Sequence, residues 1–348
     1  MHPLSCGSCL AEKGTEENMK KGKKHGALRV LLIVAICVLC AVLVFWGLPL
    51  TEHLRSSDVT GGPEWMAGLD DSLPLNEIVI PGTHDSATRY AQLAFFSRCQ
   101  SLDIAGQLES GVRFLDIRLG MDGGTMKLMH GFTECRTGPF PWSRTLTLDA
   151  LLEDCYAFLD THPSETILFS VKQEHGDEPV EDFQRLLDSI LSRQPDRWLL
   201  CSGIPELRQA RGKLVLLRRF EDRAGLGGQA GISMQWDNQN LEAGKGLSIV
   251  EKEQDSYLLW VQDRFEYGTD DKWSAFSAGL SSKDVAQADL ALHYLSTKGT
   301  GTYGHPFRYA KKLNPKLMEL DSARLRGWII ADFMTADLAE HIYRANYE

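Results

Sequence analysis

The longest feature in the hydrophobic pattern is a run of 21 residues without a charge, residues 30–50 (VLLIVAICVLCAVLVFWGLPL). As a helix at ~1.5 Å per residue it would be about 30 Å long, the hydrocarbon thickness of a bilayer. No face of it is polar, so a membrane-spanning helix is expected rather than a core helix. The next stretch, residues 51–63, is polar with a Gly-Gly-Pro break and reads as a linker. Beyond it the pattern changes to short apolar, β-branched runs: EIVIPG (77–82), RFLDIRLG (113–120), MKLMHG (126–131), TILFSVK (166–172), KLVLLRR (213–219), GISMQW (231–236), YLLWVQD (257–263) and GWIIADF (327–333). Amphipathic segments such as residues 146–162 and 179–194 lie between them. Alternation of this kind predicts strands interleaved with helices, in either a barrel or a doubly wound sheet. No repeat or low-complexity tract divides residues 64–348, which read as one domain.

The placement of polar residues decides between the two architectures. His84 and Asp85 follow the first run, Arg118 lies in the second, and His130 ends the third. Lys172 closes the fourth, Arg218 and Arg219 the fifth, Asp263 the seventh and Asp332 the last. Reactive groups gathered at strand C-termini are the mark of a barrel enzyme. The expected fold is therefore an α/β barrel of the (β/α) type preceded by a single N-terminal transmembrane helix.

Charge refines the picture. The 348-residue chain carries −10, but residues 1–29 carry a net +3, which leaves −13 beyond the apolar run. Lys20, Lys21, Lys23, Lys24 and Arg29 flank that run, so the leader should stay cytoplasmic and the domain should face the exterior or a lumen. A cleaved signal peptide would have a shorter apolar region and a small-x-small site, and neither is present. So acidic a chain is a poor candidate for nucleic-acid binding. Cys6, Cys9, Cys37 and Cys40 cannot form one zinc site across a membrane. Cys99, Cys135, Cys155 and Cys201, on an oxidising side, allow up to two disulfides in three connectivities.

Singly, each candidate has an ordinary explanation: a loop histidine, or an arginine paired with Asp116 or Asp122. Together, two histidines, a guanidinium and several carboxylates on one face suit phosphoryl transfer. That chemistry needs a base, an acid and a fixed cation for charge that builds on phosphorus. Arginine's planar fork matches phosphate oxygens.

With those residues in hand the chain resembles a known family. PGTHDS, RFLDIRL, the HG after the third run, SVKQE, RGKLVLLRRF, WVQD and GWIIADF are similar, in order, to the bacterial-type phosphatidylinositol-specific phospholipase C (X-domain) family, over about residues 73–346. The resemblance implies an irregular (β/α)8 TIM-like barrel with the active site at the strand C-termini, which agrees with the placement above. It implies His84 as general base on the inositol 2-hydroxyl and Asp332 as the carboxylate orienting it. It implies His130 as general acid to the diacylglycerol oxygen, Asp85 as its support, and Arg118 as the cation at the phosphorane. Lys172, Arg219 and Asp263 match positions that hold the inositol hydroxyls or phosphate. Phe265 stands where the bacterial enzymes carry a tyrosine, which keeps the apolar face and loses the hydroxyl. The implied reaction releases diacylglycerol and inositol 1,2-cyclic phosphate, from phosphatidylinositol or a glycosylphosphatidylinositol anchor.

No cofactor is implied. Calcium-dependent relatives place acidic or amide ligands where Arg118 stands, so metal-independent turnover by a monomer is expected. Phe95, Phe96, Phe140, Trp142, Tyr303 and Phe307 are candidates for an apolar rim facing the membrane. His162, His175, His293, His305 and His341 show no metal-like spacing and read as structural or surface residues. Two rival readings are a catalytically inactive inositol-lipid-binding barrel and a glycerophosphodiesterase-type barrel. Competent residues at all five catalytic positions speak against the first, and the GTHDS opening against the second.

Overall fold

Along each strand of a sheet, side chains alternate between two faces, and here that period separates two cores. Phe114, Leu168, Val215, Leu217, Leu259, Val261, Leu292, Trp328 and Ile330 pack in one cluster. Their sequence neighbours Leu115, Ile117, Phe169, Val171, Leu214, Leu216 and Ile329 pack in another, against helices. The first fills the inside of a curled parallel sheet and the second lies between sheet and helices, the two-layer interior of a barrel. This computed structural model describes residues 8–56, 62–236, 239, 253–254, 257–283, 285–301 and 304–348.

The chain begins with α1 (Ser8–Val42), which continues as a π-helical turn at Leu43–Gly47. There follow β1 (Ile80–Thr83), α2 (Ala94–Ser97), α3 (Ile104–Glu109), β2 (Phe114–Asp122), β3 (Thr125–His130) and β4 (Thr133–Glu134). Next come α4 (Leu148–Thr161), β5 (Ile167–His175), α5 (Val180–Leu191), β6 (Trp198–Leu199), α6 (Leu207–Ala210), β7 (Leu214–Arg218) and β8 (Ile232–Ser233). The chain closes with β9 (Glu253–Gln254), β10 (Tyr257–Gln262), α7 (Thr269–Ser281), β11 (Leu290–Tyr294), α8 (Pro306–Met318), β12 (Trp328–Ala331) and α9 (Ala336–Tyr343).

Parallel pairing runs β8–β7–β5–β2–β1–β12–β11–β10, and among the described residues no ladder joins β8 to β10. With β6 also parallel to β7 beside β8, the described residues form an irregular TIM-like barrel, as expected. Two details depart from the sequence reading. The third apolar run is β3, an antiparallel hairpin partner of β2 rather than a wall strand. The missing wall strand is β11, five buried residues (LALHY) between β10 and β12. It carries no alternation because both of its faces are covered.

Helix α4 shows why the outer layer forms. Thr147 caps it by accepting from the Ala150 N–H, and Leu148, Leu151, Leu152, Cys155 and Leu159 face the sheet at helical spacing. Each such leucine contributes about 1.5–3 kcal/mol by burial. In β1, Gly82 is required by packing. A Cβ there would lie 2.9 Å from the Phe114 Cβ and 3.1 Å from Ile330, inside the filled barrel. Cys99, Cys135 and Cys155 are buried and Cys201 half-buried; all four are free thiols, so the disulfides that the compartment argument allowed are absent.

At the end of the barrel away from the reactive strand termini, Arg113 and Glu165 are both fully buried. Arg113 Nη2 lies 2.8 Å from Glu165 Oε2, and its guanidinium sits 4.5 Å from the Phe158 ring centroid. Removing one partner would strand the other charge without water. Glu165→Ala is expected to cost about 3–5 kcal/mol in denaturant unfolding of the barrel, and a loss below ~1 kcal/mol would show that the pair is dispensable.

Candidate active site

The inner-face period that fills the barrel with apolar side chains turns polar at the strand ends. On β2 the inward positions run Phe114, Asp116, Arg118, and on β5 Leu168, Ser170, Lys172, Glu174. On β7 they run Val215, Leu217, Arg219, on β10 Leu259, Val261, Asp263, and on β12 Trp328, Ile330, Asp332. His84 lies two residues past Gly82 on the same face of β1. The period also separates Arg219 from its neighbour: Arg219 enters the mouth, while Arg218 is buried by Phe220 and donates to its carbonyl.

The mouth is a cavity of about 690 Å³, within the range of a small-molecule site. His84, Arg118, His130, Lys172, Arg219, Asp263, Phe265 and Asp332 all line it, and Asp85 lies directly beneath. Every residue nominated from the sequence is thus brought to one place. Phe96 also lines the cavity; Phe95 is half-buried against it, Phe307 packs on Phe333, and Phe140 and Trp142 are exposed outside. Tyr303 lies outside the described residues.

Asp85 is the node. It is buried with φ +44°, a left-handed backbone that a non-glycine residue holds at a cost of about 1–3 kcal/mol. Its Oδ1 lies 2.8 Å from Arg118 Nε; its Oδ2 lies 3.2 Å from His84 Nε2 and 3.5 Å from His130 Nε2. The two imidazole rings stand 6.4 Å apart, nearly perpendicular. His84 Nδ1 is 2.8 Å from Asp332 Oδ1, and Arg118 Nη2 is 2.9 Å from His84 Nε2. A guanidinium can only donate, so that contact requires neutral His84 with its proton on Nδ1, toward Asp332, whereas Asp85 Oδ2 beside the same nitrogen favours the protonated ring.

Burial lowers the basicity of His84, but Asp85 and Asp332 outweigh it and push its pKa up to about 9. Burial likewise works against ionised Asp116, yet Arg118 and Arg219 hold its carboxyl well below the usual range. Glu174 follows the same logic: Arg118 and Lys172 overcome burial and bring it down to about 2.

Several functional groups were not singled out from sequence. Glu174 lies 3.0 Å from Arg118 Nη1 and 2.5 Å from Lys172 Nζ. The signal was available, because it stands two residues past Lys172 on the same strand face. Trp236 stacks under Arg219 at 3.8 Å and donates from Nε1 to Asp263 at 3.0 Å. Lys272 is wholly buried and donates to Gln262 Oε1 and the Arg264 carbonyl, both at 3.0 Å, fixing the turn that presents Asp263 and Phe265. Burial brings its pKa down to about 7. Cys99 Sγ lies 4.0 Å from Asp85, and burial raises its thiol pKa. The ligand atoms of His84, Asp85 and Cys99 lie within 4.8 Å of one another, so this trio could hold a metal ion.

Such a mouth, with two histidines and a guanidinium around a buried carboxylate, defines a barrel enzyme built for a phosphate ester. Comparison points the same way: residues 72–220 match the family model described as "Phosphatidylinositol-specific phospholipase C, X domain". The chain is similar to the 1-phosphatidylinositol phosphodiesterase of Staphylococcus aureus, 27% identical over 299 residues covering 80% of this chain and 90% of that one. It is also similar to that of Listeria monocytogenes, 24% identical over 340 residues covering 89% and 96%. In fold it superposes on a mutant of the S. aureus phosphatidylinositol-specific phospholipase C with a TM-score of 0.68, covering 82% of this chain and 98% of that one at 24% identity.

The carboxylates around His84 set its titration. Proton NMR of the His84 ring should give a pKa near 9 in the free protein. Because Asp332 raises that value, Asp332→Asn should move it downward; equal values in the two proteins would remove Asp332 as the cause.

Proposed function

We propose that this protein is a phosphatidylinositol-specific phospholipase C that works by general acid–base catalysis without a metal. The observation that carries the reading is the single cluster His84–Asp332–Arg118–Asp85–His130. It sets two imidazoles on either side of a space large enough for a phosphodiester. In this reading His84 Nε2 takes the proton from the inositol 2-hydroxyl as that oxygen bonds to phosphorus. The bond from phosphorus to the diacylglycerol oxygen breaks, and His130 supplies that oxygen with a proton. Diacylglycerol and inositol 1,2-cyclic phosphate result, with no change in oxidation state. Water opens the ring in a second step, with the histidines exchanging roles.

Arg118 stabilises the charge that builds on the phosphoryl oxygens. In the free site it is spread over Asp85, Asp116, Glu174 and His84 Nε2. An incoming phosphate that draws Nη2 from His84 frees the nitrogen that must act as base. The guanidinium already neutralises the carboxylates a hard cation would need, which supports turnover without calcium. In this reading Lys172, Arg219 and Asp263 hold the inositol hydroxyls or the phosphate, with Phe265 as an apolar floor. The lost tyrosine hydroxyl bears on headgroup preference, free lipid against glycan-linked lipid.

The helix α1 belongs to the same reading. Lys23–Thr51 is long and apolar enough to cross a membrane, and from Lys23 through Phe45 its described residues are exposed, while Pro49 near its end is buried against the barrel. As an uncleaved anchor with its basic flank cytoplasmic, it holds the barrel at the outer or lumenal surface. A domain carrying −13 gains little from anionic lipid by charge alone.

The test is phosphorus NMR of phosphatidylinositol vesicles incubated with the reconstituted chain in excess EDTA. A cyclic phosphodiester signal should precede the monoester. His84→Ala and His130→Ala should each lower the rate by about 10²–10⁴-fold. A requirement for calcium would refute the role of Arg118. Vesicle binding without product, with or without calcium, would leave only a lipid-binding protein. As His84 must be unprotonated to act, kcat/KM should rise with pH toward about 9 and its ascending limb should shift to lower pH in Asp332→Asn.

A further inference from the structure

The apolar helix does not simply lead into the barrel; its C-terminal end is built onto the rim of the mouth. Phe45 stacks on Phe96 at 5.6 Å and meets Phe95 edge-on at 5.8 Å. The Trp46 indole donates to the Pro139 carbonyl at 2.9 Å. Arg98, only 4% exposed, donates through Nη1 to the carbonyls of Pro49 (2.7 Å) and Glu52 (2.6 Å). Glu52 Oε2 lies 2.8 Å from His305 Nε2, and the His305 ring stacks on Phe95 at 4.2 Å. A buried arginine used to terminate carbonyls of a neighbouring segment indicates a fixed joint rather than a swivel.

What the joint touches indicates its purpose. Phe96 and Leu93 line the cavity, and Pro139 begins the loop that carries Phe140 and Trp142. Those two rings are stacked together yet 54% and 80% exposed, and Phe132 on the cavity's edge is 65% exposed. The helix surface from Leu28 through Phe45 is exposed along its length, so it leaves the barrel at the mouth without lying along its side. The exposed apolar surface of the helix thus continues through Phe45 onto Leu93, Phe132, Phe140 and Trp142, around the entrance to the site. A continuous apolar surface of this kind, rooted in a span, is matched by the lipid the span sits in.

We propose that residues 45–52 form a docking collar holding the mouth against the same bilayer that residues 30–50 cross, so that the enzyme takes lipid from its own membrane. The proposal rests on the reading of that segment as a span and of the mouth as a phospholipase site. The collar supplies orientation, which a flexible linker of equal length would not. Tethering alone raises local concentration; orientation decides whether a headgroup can enter the cavity.

The test uses the full chain in proteoliposomes mixed with enzyme-free vesicles, with labelled phosphatidylinositol in one population or the other. The wild type should cleave lipid in its own vesicle about 100-fold faster than lipid in the other. Two variants loosen the collar: Phe45→Ser with Trp46→Ala, and Arg98→Gln. Each should lose about tenfold of same-vesicle cleavage, while in the Phe45→Ser, Trp46→Ala variant ring-opening of water-soluble inositol 1,2-cyclic phosphate stays at the wild-type rate. The first variant alters residues outside both barrel cores, so it stays informative if Arg98→Gln does not fold. Fluorescence quenching by brominated lipid, assigned to Trp142 by difference against Trp142→Phe, should appear in the wild type and vanish in the folded loosened variant. Equal same-vesicle rates in wild type and loosened variants would overturn the collar. So would equal cleavage of both populations by the wild type. Extraction of the wild type by alkaline carbonate would overturn the span and the collar with it. An inert wild type that still shows the quenching would sink the catalytic reading and keep the orientation.

Discussion

A buried carboxylate in a strained backbone is the constraint around which the mouth is organised. Asp85 has no access to water and holds a left-handed conformation just past β1. An ion in that position must be surrounded by donors or be neutralised. Arg118, His84 and His130 are those surroundings, and each is delivered by a different strand. The turn itself is locked: Thr88 donates to the Asp85 carbonyl, the Ser86 hydroxyl accepts from the Asp116 N–H, and Gln107 donates to the Ser86 carbonyl. Five carboxylates then converge there (Asp85, Asp116, Glu174, Asp263 and Asp332) against three fixed cations, Arg118, Lys172 and Arg219. Among these, Asp85 and Asp332, the two carboxylates beside it, outweigh its burial and raise the basicity of His84. It also means that below about pH 9 His84 carries a proton that it must lose before it can accept one.

Much of this was legible in the sequence because a two-residue period is legible. Once a strand's inner face is fixed by Phe114 or Leu168, the residue that ends it in the mouth follows by counting, and Arg118 and Lys172 fall out. The same count distinguishes Arg219 from Arg218. Counting in twos would also have reached Asp116 and Glu174; they were passed over because acidic residues beside an arginine also fit a surface pair. Trp236 and Lys272 carry no such signal. One stacks on a side chain from another strand, and the other is buried by an α7 face whose apolar period is weak. β11 was missed for the opposite reason, since a strand buried on both faces has no alternation to find. The hairpin β3 was misplaced because its apolar run matches a wall strand, and only its short turn (Asp122-Gly123-Gly124-Thr125) shows that the chain reverses.

The segment from Leu93 to Gln100 joins the two halves of the argument. Leu93 and Phe96 shape the apolar edge of the cavity, and Arg98 holds the end of the long helix. Cys99 packs against Asp85, and its carbonyl accepts from the Phe333 N–H, next to Asp332. Gln100 donates to the carbonyls of both His84 and Ala331, and its side-chain oxygen accepts from the Met334 N–H. Eight consecutive residues therefore touch the apolar edge of the cavity, the helix joint, the backbone of His84 and the residues on either side of Asp332. Arg98 strengthens the link by lying 5.3 Å over the ring of Phe333, whose own φ is +49°. The division of labour within the segment is by side chain: Arg98 holds the end of the long helix, while Gln100 ties the backbone of His84 to that on either side of Asp332. The apolar edge and the His84–Asp332 pair thus share one stretch of chain but are fixed by different side chains, so the contacts of the helix joint can be loosened without removing the hydrogen bonds that hold the pair.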